Sequence, residues 1–122
     1  NPRNPYVYAH TSTALMRLVH RVEDIASFSP EGKHMYISIL RPDADYWPLP
    51  WYLRAYDRVG YWPRIPEPPD APFIIADPKL QQTLEAQLKD HYQVELHALR
   101  PGVFLIAYIR QDLWDAFMAT RQ

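Results

Sequence analysis

From Leu15 onward, the apolar residues Leu15, Leu18, Val19, Val22, Ile25 and Ala26 recur at helical intervals, while Arg17, Arg21 and Asp24 occupy the opposite face. The spacing predicts an amphipathic helix. Before it, Tyr6-Val7-Tyr8-Ala9 is a short β-prone run, and Thr11-Ser12-Thr13 supplies residues able to cap a helix N-terminus. The helix is expected to end near Ser29-Pro30-Glu31-Gly32. Met35 to Leu40 then reads as a buried strand with β-branched Ile37 and Ile39. Strand, helix and strand in this order imply a right-handed parallel βαβ unit.

The pattern then loses its periodicity. Residues 42 to 78 hold nine of the thirteen prolines, and residues 46 to 62 hold seven of the seventeen aromatics, so order there must come from packing. Pro48 or Pro50 suits the first turn of a short helix that Asp45 is placed to cap, with Leu49, Tyr52, Leu53 and Tyr56 as its apolar stripe, ending before Gly60. Arg64 to Pro72 is expected to be an extended surface connection, because Pro66, Pro68 and Pro69 exclude regular structure.

Periodicity returns with Phe73-Ile74-Ile75-Ala76, a short buried strand, and Asp77-Pro78, a strong helix start for a segment through Leu80, Leu84 and Leu88. After His91, period two sets Tyr92, Val94, Leu96 and Ala98 against Gln93, Glu95 and His97, the mark of a half-exposed strand. Arg100-Pro101-Gly102 turns the chain back into the near-continuous apolar run Val103 to Arg110. Asp112 is placed to cap a last helix bearing Leu113, Trp114, Phe117 and Met118. The predicted class is α/β: a mostly parallel twisted sheet with an antiparallel hairpin near the C-terminal end and helices packed on it.

At 122 residues, 48% apolar and 22% charged, the chain is expected to be one domain, residues 1–122, that folds alone. A formal net charge of -1 gives no field to gather polyanions, so nucleic acid is not an expected partner. The basic residues are ten Arg and three Lys, a bias that genomic base composition explains as readily as anion binding. With no cysteine, disulfides, thiol catalysis and thiolate metal sites are excluded together. The opening Asn1-Pro2-Arg3-Asn4-Pro5 lacks an initiator Met and the profile of a signal peptide, and reads as the middle of a longer protein. The longest apolar run, Val103 to Ile109, is far too short to span a bilayer.

Most chemistry is excluded on spacing. The isolated Gly32, Gly60 and Gly102 build no phosphate loop or dinucleotide fingerprint, and no cofactor is expected. His10, His20, His34, His91 and His97 lack metal-ligand spacing, and no serine sits on a nucleophile elbow. One dense constellation remains, Arg41-Pro42-Asp43-Ala44-Asp45-Tyr46-Trp47-Pro48-Leu49-Pro50-Trp51-Tyr52-Leu53-Arg54, beginning where a parallel strand should end and where open α/β sheets bind ligands. Trp47, Trp51 and Tyr52 can offer ring faces to a sugar, Asp43 and Asp45 can accept its hydroxyls, and Arg54 can fork onto a phosphate or carboxylate. The same residues have a structural reading: Asp45 as a helix cap, the aromatics as core, Arg54 in a surface ion pair. Acid/base work by the Asp43 and Asp45 pair needs one carboxyl raised in pKa by burial. No catalytic residue is assigned.

Tyr6-Val7-Tyr8-Ala9-His10-Thr11-Ser12, the run from Asp45 to Arg54, and Val59-Gly60-Tyr61-Trp62 together resemble the C-terminal soluble part of polytopic membrane glycosyltransferases. The family is the dolichyl-phosphate-mannose protein mannosyltransferase-like (GT-C type) group, in its flippase-activity-associated branch. The resemblance spans most of the chain, and the middle motif carries nearly all of its specificity. It implies a bundle of transmembrane helices in the same polypeptide as partner, an extracytoplasmic position for this domain, and a polyprenyl-phosphate sugar as donor, with a lipid-linked sugar or glycan acceptor as a further partner. The family's catalytic acidic residue lies in an early loop between transmembrane helices, to which no position here corresponds. The resemblance thus implies a non-catalytic accessory domain that holds the acceptor, closes over the membrane site or stabilises the protein. In that case Trp47, Trp51 or Trp62 should stand exposed. Two other readings stay open: an independent module binding a sugar or other small molecule, and a small hydrolase using Asp43 or Asp45.

Overall fold

A computed structural model of the chain describes residues 13–121. The expected strand at Tyr6-Val7-Tyr8-Ala9 and the capping residues Thr11 and Ser12 lie outside the described residues. Helix α1, Thr13–Phe28, buries Leu15, Leu18, Val19, Val22, Ile25 and Ala26, the stripe that the spacing predicted. A 3₁₀ turn at Gly32–His34 precedes strand β1, Ile37–Leu40, whose four side chains are all buried. Helix α2 is a single turn, Leu49–Tyr52, followed by strands β2, Val59–Trp62, and β3, Phe73–Ala76. The Asp77 side chain accepts the Lys79 N–H at 2.9 Å, opening a 3₁₀ turn at Pro78–Leu80 that leads into helix α3, Gln81–Gln87. Strands β4, Tyr92–Arg100, and β5, Val103–Arg110, form the hairpin, and helix α4, Gln111–Ala119, follows.

The five strands form one mixed sheet in the order β2-β1-β3-β5-β4. β2, β1 and β3 are mutually parallel, whereas β5 runs antiparallel to both β3 and β4. β2 departs from the sequence expectation, which carried no strand there. Its β-prone Val59, Tyr61 and Trp62 become a strand through backbone pairing, framed by Ile37 N–H donating to Arg58 O and Arg41 N–H donating to Trp62 O. Gly60 makes room on this strand. A Cβ there would lie 2.5 Å from both Trp62 Nε1 and Tyr36 Oη, the atoms of a 3.0 Å hydrogen bond.

Helices α1, α2 and α4 cover one face of the sheet, contributing Leu18, Val22, Leu49, Leu53, Leu113 and Phe117 to a core that includes Ile37, Ile39, Phe73 and Ile75. The opposite face, with Leu40, Ile74, Ala76, Ile106 and Tyr108, packs against Leu84 of α3 and Ile65 of the proline-rich connection. Tyr108 Oη ties this layer down by donating to Glu85 at 2.9 Å. Asp112 differs from its expected capping role: Arg110 holds the N-cap position, and Asp112 sits in the first turn of α4, paired with Arg110 at 2.7 Å.

On β4 the exposed and covered faces are the reverse of what side-chain polarity suggests. Val94 and Leu96 face outward, Leu96 being 67% exposed, and Phe104 of β5 lies exposed across from Ala98. Glu95 and His97 instead turn inward to the helical layer, where Arg21 Nε donates to Glu95 at 3.1 Å and a His97 ring nitrogen lies 3.0 Å from the same carboxylate. Burial pushes the Glu95 carboxyl up, but the hydrogen bonds from His97 and Arg21 outweigh it and hold its pKa below the ordinary carboxylate value.

A depressed folded-state pKa stabilises the fold above the unfolded-state value, near about 4.3, and that contribution disappears as pH falls through the folded-state value. Glu95→Gln should therefore cost up to about 1.5–3 kcal/mol at neutral pH, the range for hydrogen bonds to charged groups. Urea denaturation at pH 7 and pH 3 checks this: the gap between the parent and the variant should narrow at the lower pH.

Candidate functional site

β1 and β3 are adjacent parallel strands whose chains leave in opposite directions, β1 towards the face carrying α2 and β3 towards the face carrying α3. This is the topological switch point at which open α/β sheets form ligand crevices. Leu40 O accepts the Asp77 N–H at 2.9 Å, closing the base of the crevice. Directly above it stands Arg41, only 4% exposed. Its Nη2 lies 3.3 Å from Asp43 and its Nε 3.8 Å from Asp77, while Nε and Nη1 make no hydrogen bond among the described residues. A buried guanidinium needs compensating charge, and these two carboxylates supply it from the ends of both strands.

The chain after Arg41 turns sharply. Ala44 has φ 57°, a left-handed conformation that costs a non-glycine residue about 1 kcal/mol, and such residues concentrate at functional loops. The Asp43 carboxylate accepts the Asp45 N–H at 3.0 Å, and this bond, with the nearby Arg41 charge, holds the Asp43 pKa below its usual value. Asp45 does not cap α2. Pro48 occupies the N-cap position without a side-chain bond, and Asp45 instead pairs with Arg100 at the tip of the β4–β5 hairpin. A long-range guanidinium, 55 residues away in sequence, has won over the local helix end. Arg100 also donates to Trp47 O at 3.3 Å, so one side chain holds both ends of the Asp45–Trp47 segment.

The aromatic residues of the motif divide by helical spacing. Tyr46, Tyr52 and Tyr56 pack on the core with Leu49 and Leu53, and Tyr46 meets Tyr61 edge-on at 5.2 Å. Trp47 and Trp51 point outward, 63% and 52% exposed, across a cis Trp47–Pro48 peptide. Arg54 stacks on Trp51 with its guanidinium 3.7 Å from the ring centroid and donates to Trp51 O at 2.7 Å. Trp62 is half-buried through its bond to Tyr36. Among the six candidate residues, the fold thus joins Asp43 and Asp45 in one turn, stacks Arg54 on Trp51, exposes Trp47, and turns Tyr52 to the core.

These contacts bear on what the site can do. A general acid needs a carboxyl with a raised pKa, whereas Asp43 is shifted the other way and Asp45 is engaged by Arg100, so the arrangement disfavours hydrolysis. It suits recognition through exposed indoles on an anchored loop. Arg41 and Arg100 had no assigned role in the sequence reading. The position of Arg41 just past an apolar strand end was a usable signal, but nothing local marked Arg100.

The Asp45–Arg100 pair is half-exposed, so Asp45→Ala should cost under about 1 kcal/mol of global stability. Its local effect should be larger. Amide hydrogen exchange should quicken over residues 43–47, and Arg100→Ala, which also removes the bond to Trp47 O, should quicken it at least as much, with no further gain in the double variant.

No protein-family model, curated protein sequence or solved structure matches this chain.

Proposed function

We propose that the chain is a non-catalytic accessory domain of a membrane glycosyltransferase that draws its sugar from a polyprenyl-phosphate donor. In this reading the loop from Asp45 to Arg54 meets the membrane-embedded part of the same polypeptide, or the acceptor bound there, on the extracytoplasmic side. The observation that carries it is the outward presentation of Trp47 and Trp51 at the C-terminal end of β1. Two neighbouring indoles held in water are costly to leave uncovered, and a rigid loop tied down by Arg100 keeps them there. Trp and Tyr also favour surfaces that are apolar on one side and wet on the other. The resemblance of the Asp45–Arg54 run to the soluble part of such enzymes supplies the chemistry. Within the described residues, no helix is long and apolar enough to cross a membrane. In this reading the catalytic acidic residue lies, as the resemblance implies, in the membrane-embedded part of the polypeptide.

The exposed Trp47 indole beside the Asp43 turn also supports a second reading, an independent module that binds a sugar or small molecule. Trp fluorescence titrated with glycans and sugar phosphates separates the two, since only the second requires saturable binding at this loop by the isolated chain.

The leading reading has a decisive observation. The reading frame containing this chain should encode about ten or more apolar stretches of membrane-spanning length upstream of Asn1, and a frame encoding none removes the proposal. In membranes containing the full polypeptide, the double change Trp47→Ser and Trp51→Ser should lower sugar transfer from the lipid-linked donor by about tenfold or more, with the domain still folded. Unchanged transfer would count against a role for the loop.

A further inference from the structure

A second constellation lies on the helical layer and shares no residue with the Asp45–Arg54 loop. Between helices α1 and α4, beside His97 of β4, lies a groove of about 510 Å³, of the size that holds a small ligand. Arg17, Arg21 and Arg121 line it together with His20, Asp24 and Trp114. In a protein whose formal net charge is -1, three guanidinium groups against one lining carboxylate, Asp24, are a local excess.

The three play different parts. Arg21 is fixed and largely neutralised: it bonds Glu95 at 3.1 Å, lies 3.5 Å from Asp24, and sits 5.1 and 5.0 Å from the centroids of Trp114 and Phe117. It forms the floor. Arg121 stacks on Phe117 at 5.1 Å, and neither it nor Arg17 has an acidic partner among the described residues. Two uncompensated guanidinium groups facing one groove match a group carrying nearly two negative charges and several acceptor oxygens, which describes a phosphomonoester. Trp114, half-buried and held by the buried Phe117 with ring centroids 5.6 Å apart, gives a ring edge and face against which the apolar face of a sugar can rest.

We propose that this groove binds a phosphorylated monosaccharide, with the phosphate between Arg17 and Arg121 and the sugar ring against Trp114. The inference stands apart from the accessory-domain reading, because it uses different residues and needs no membrane partner.

Glucose 6-phosphate is the probe, followed by the indole N–H resonance of Trp114 in ¹⁵N NMR and by calorimetry on the same chain. Saturable binding is expected, with inorganic phosphate weaker and unphosphorylated glucose without effect. Arg17→Ala and Arg121→Ala together should weaken it by about tenfold or more, since each removes a charge-assisted contact. Both side chains are exposed, so circular dichroism should show the variant folded. Arg64→Ala, at an exposed arginine that does not line the groove, should leave the affinity unchanged. No saturable response up to about 10 mM, or equal affinity in the arginine double variant, would overturn the proposal. So would glucuronate binding as tightly as the phosphate ester, or sedimentation with phosphatidic acid vesicles without any response to glucose 6-phosphate.

Discussion

Everything in this molecule follows from the burial of β1 and β3 on both faces. Ile37, Ile39, Phe73 and Ile75 face one core and Leu40, Ile74 and Ala76 the other, so neither strand tolerates an uncovered side. The two connections that leave their C-terminal ends must therefore go to opposite faces, α2 to one and α3 to the other. That divergence opens the crevice in which Arg41 stands between Asp43 and Asp77. The candidate loop is in this sense a by-product of covering a two-sided sheet, and its position is inherited from the core.

The two faces are covered unequally. The side with α1, α2 and α4 has three helices and a large continuous core, and it can absorb polar residues such as Glu95 and His97 by giving them Arg21. The other side has the seven-residue α3 and a proline-rich segment, which reach Ile106 and Tyr108 and leave Val94, Leu96 and Phe104 in water. Arg21 links the two themes. It makes inward burial of Glu95 acceptable, which turns Val94 and Leu96 outward, and in the same posture it forms the floor of the cationic groove.

Sequence patterns revealed those parts of the fold that local forces decide. The α1 stripe, the four-residue apolar strands at 37–40 and 73–76, the Asp77-Pro78 start and the hairpin at Pro101-Gly102 all carry their reasons within a few residues. Three features did not, each for a stated cause. β2 lies within the proline-rich stretch of residues 42–78 and contains Gly60, and only its pairing with β1 makes it a strand. Period two on β4 identifies which residues share a face without saying which face a helix will cover. Asp45 has the chemistry of a cap but a stronger partner in Arg100, invisible at a distance of 55 residues. The candidate motif itself was legible as a dense aromatic and acidic run beyond a strand end. Its internal division, with Tyr46, Tyr52 and Tyr56 inward and Trp47 and Trp51 outward, followed only once α2 had a direction.

The outward face of β4 has a consequence for how the chain behaves in solution. Among the described strands β4 ends the sheet, so its outer rim offers unpaired backbone donors and acceptors beside the side chains of Val94 and Leu96. From Tyr92 to Ala98, before the register shift that breaks the pairing at Ala98–Arg100, extended chain with apolar neighbours forms a template onto which another strand can add. β4 contains no lysine or proline to block this, and Glu95, a charge able to repel a second strand, is turned inward to Arg21. The carboxylate that completes the helical layer, by pairing with Arg21, is thus the one missing from the rim.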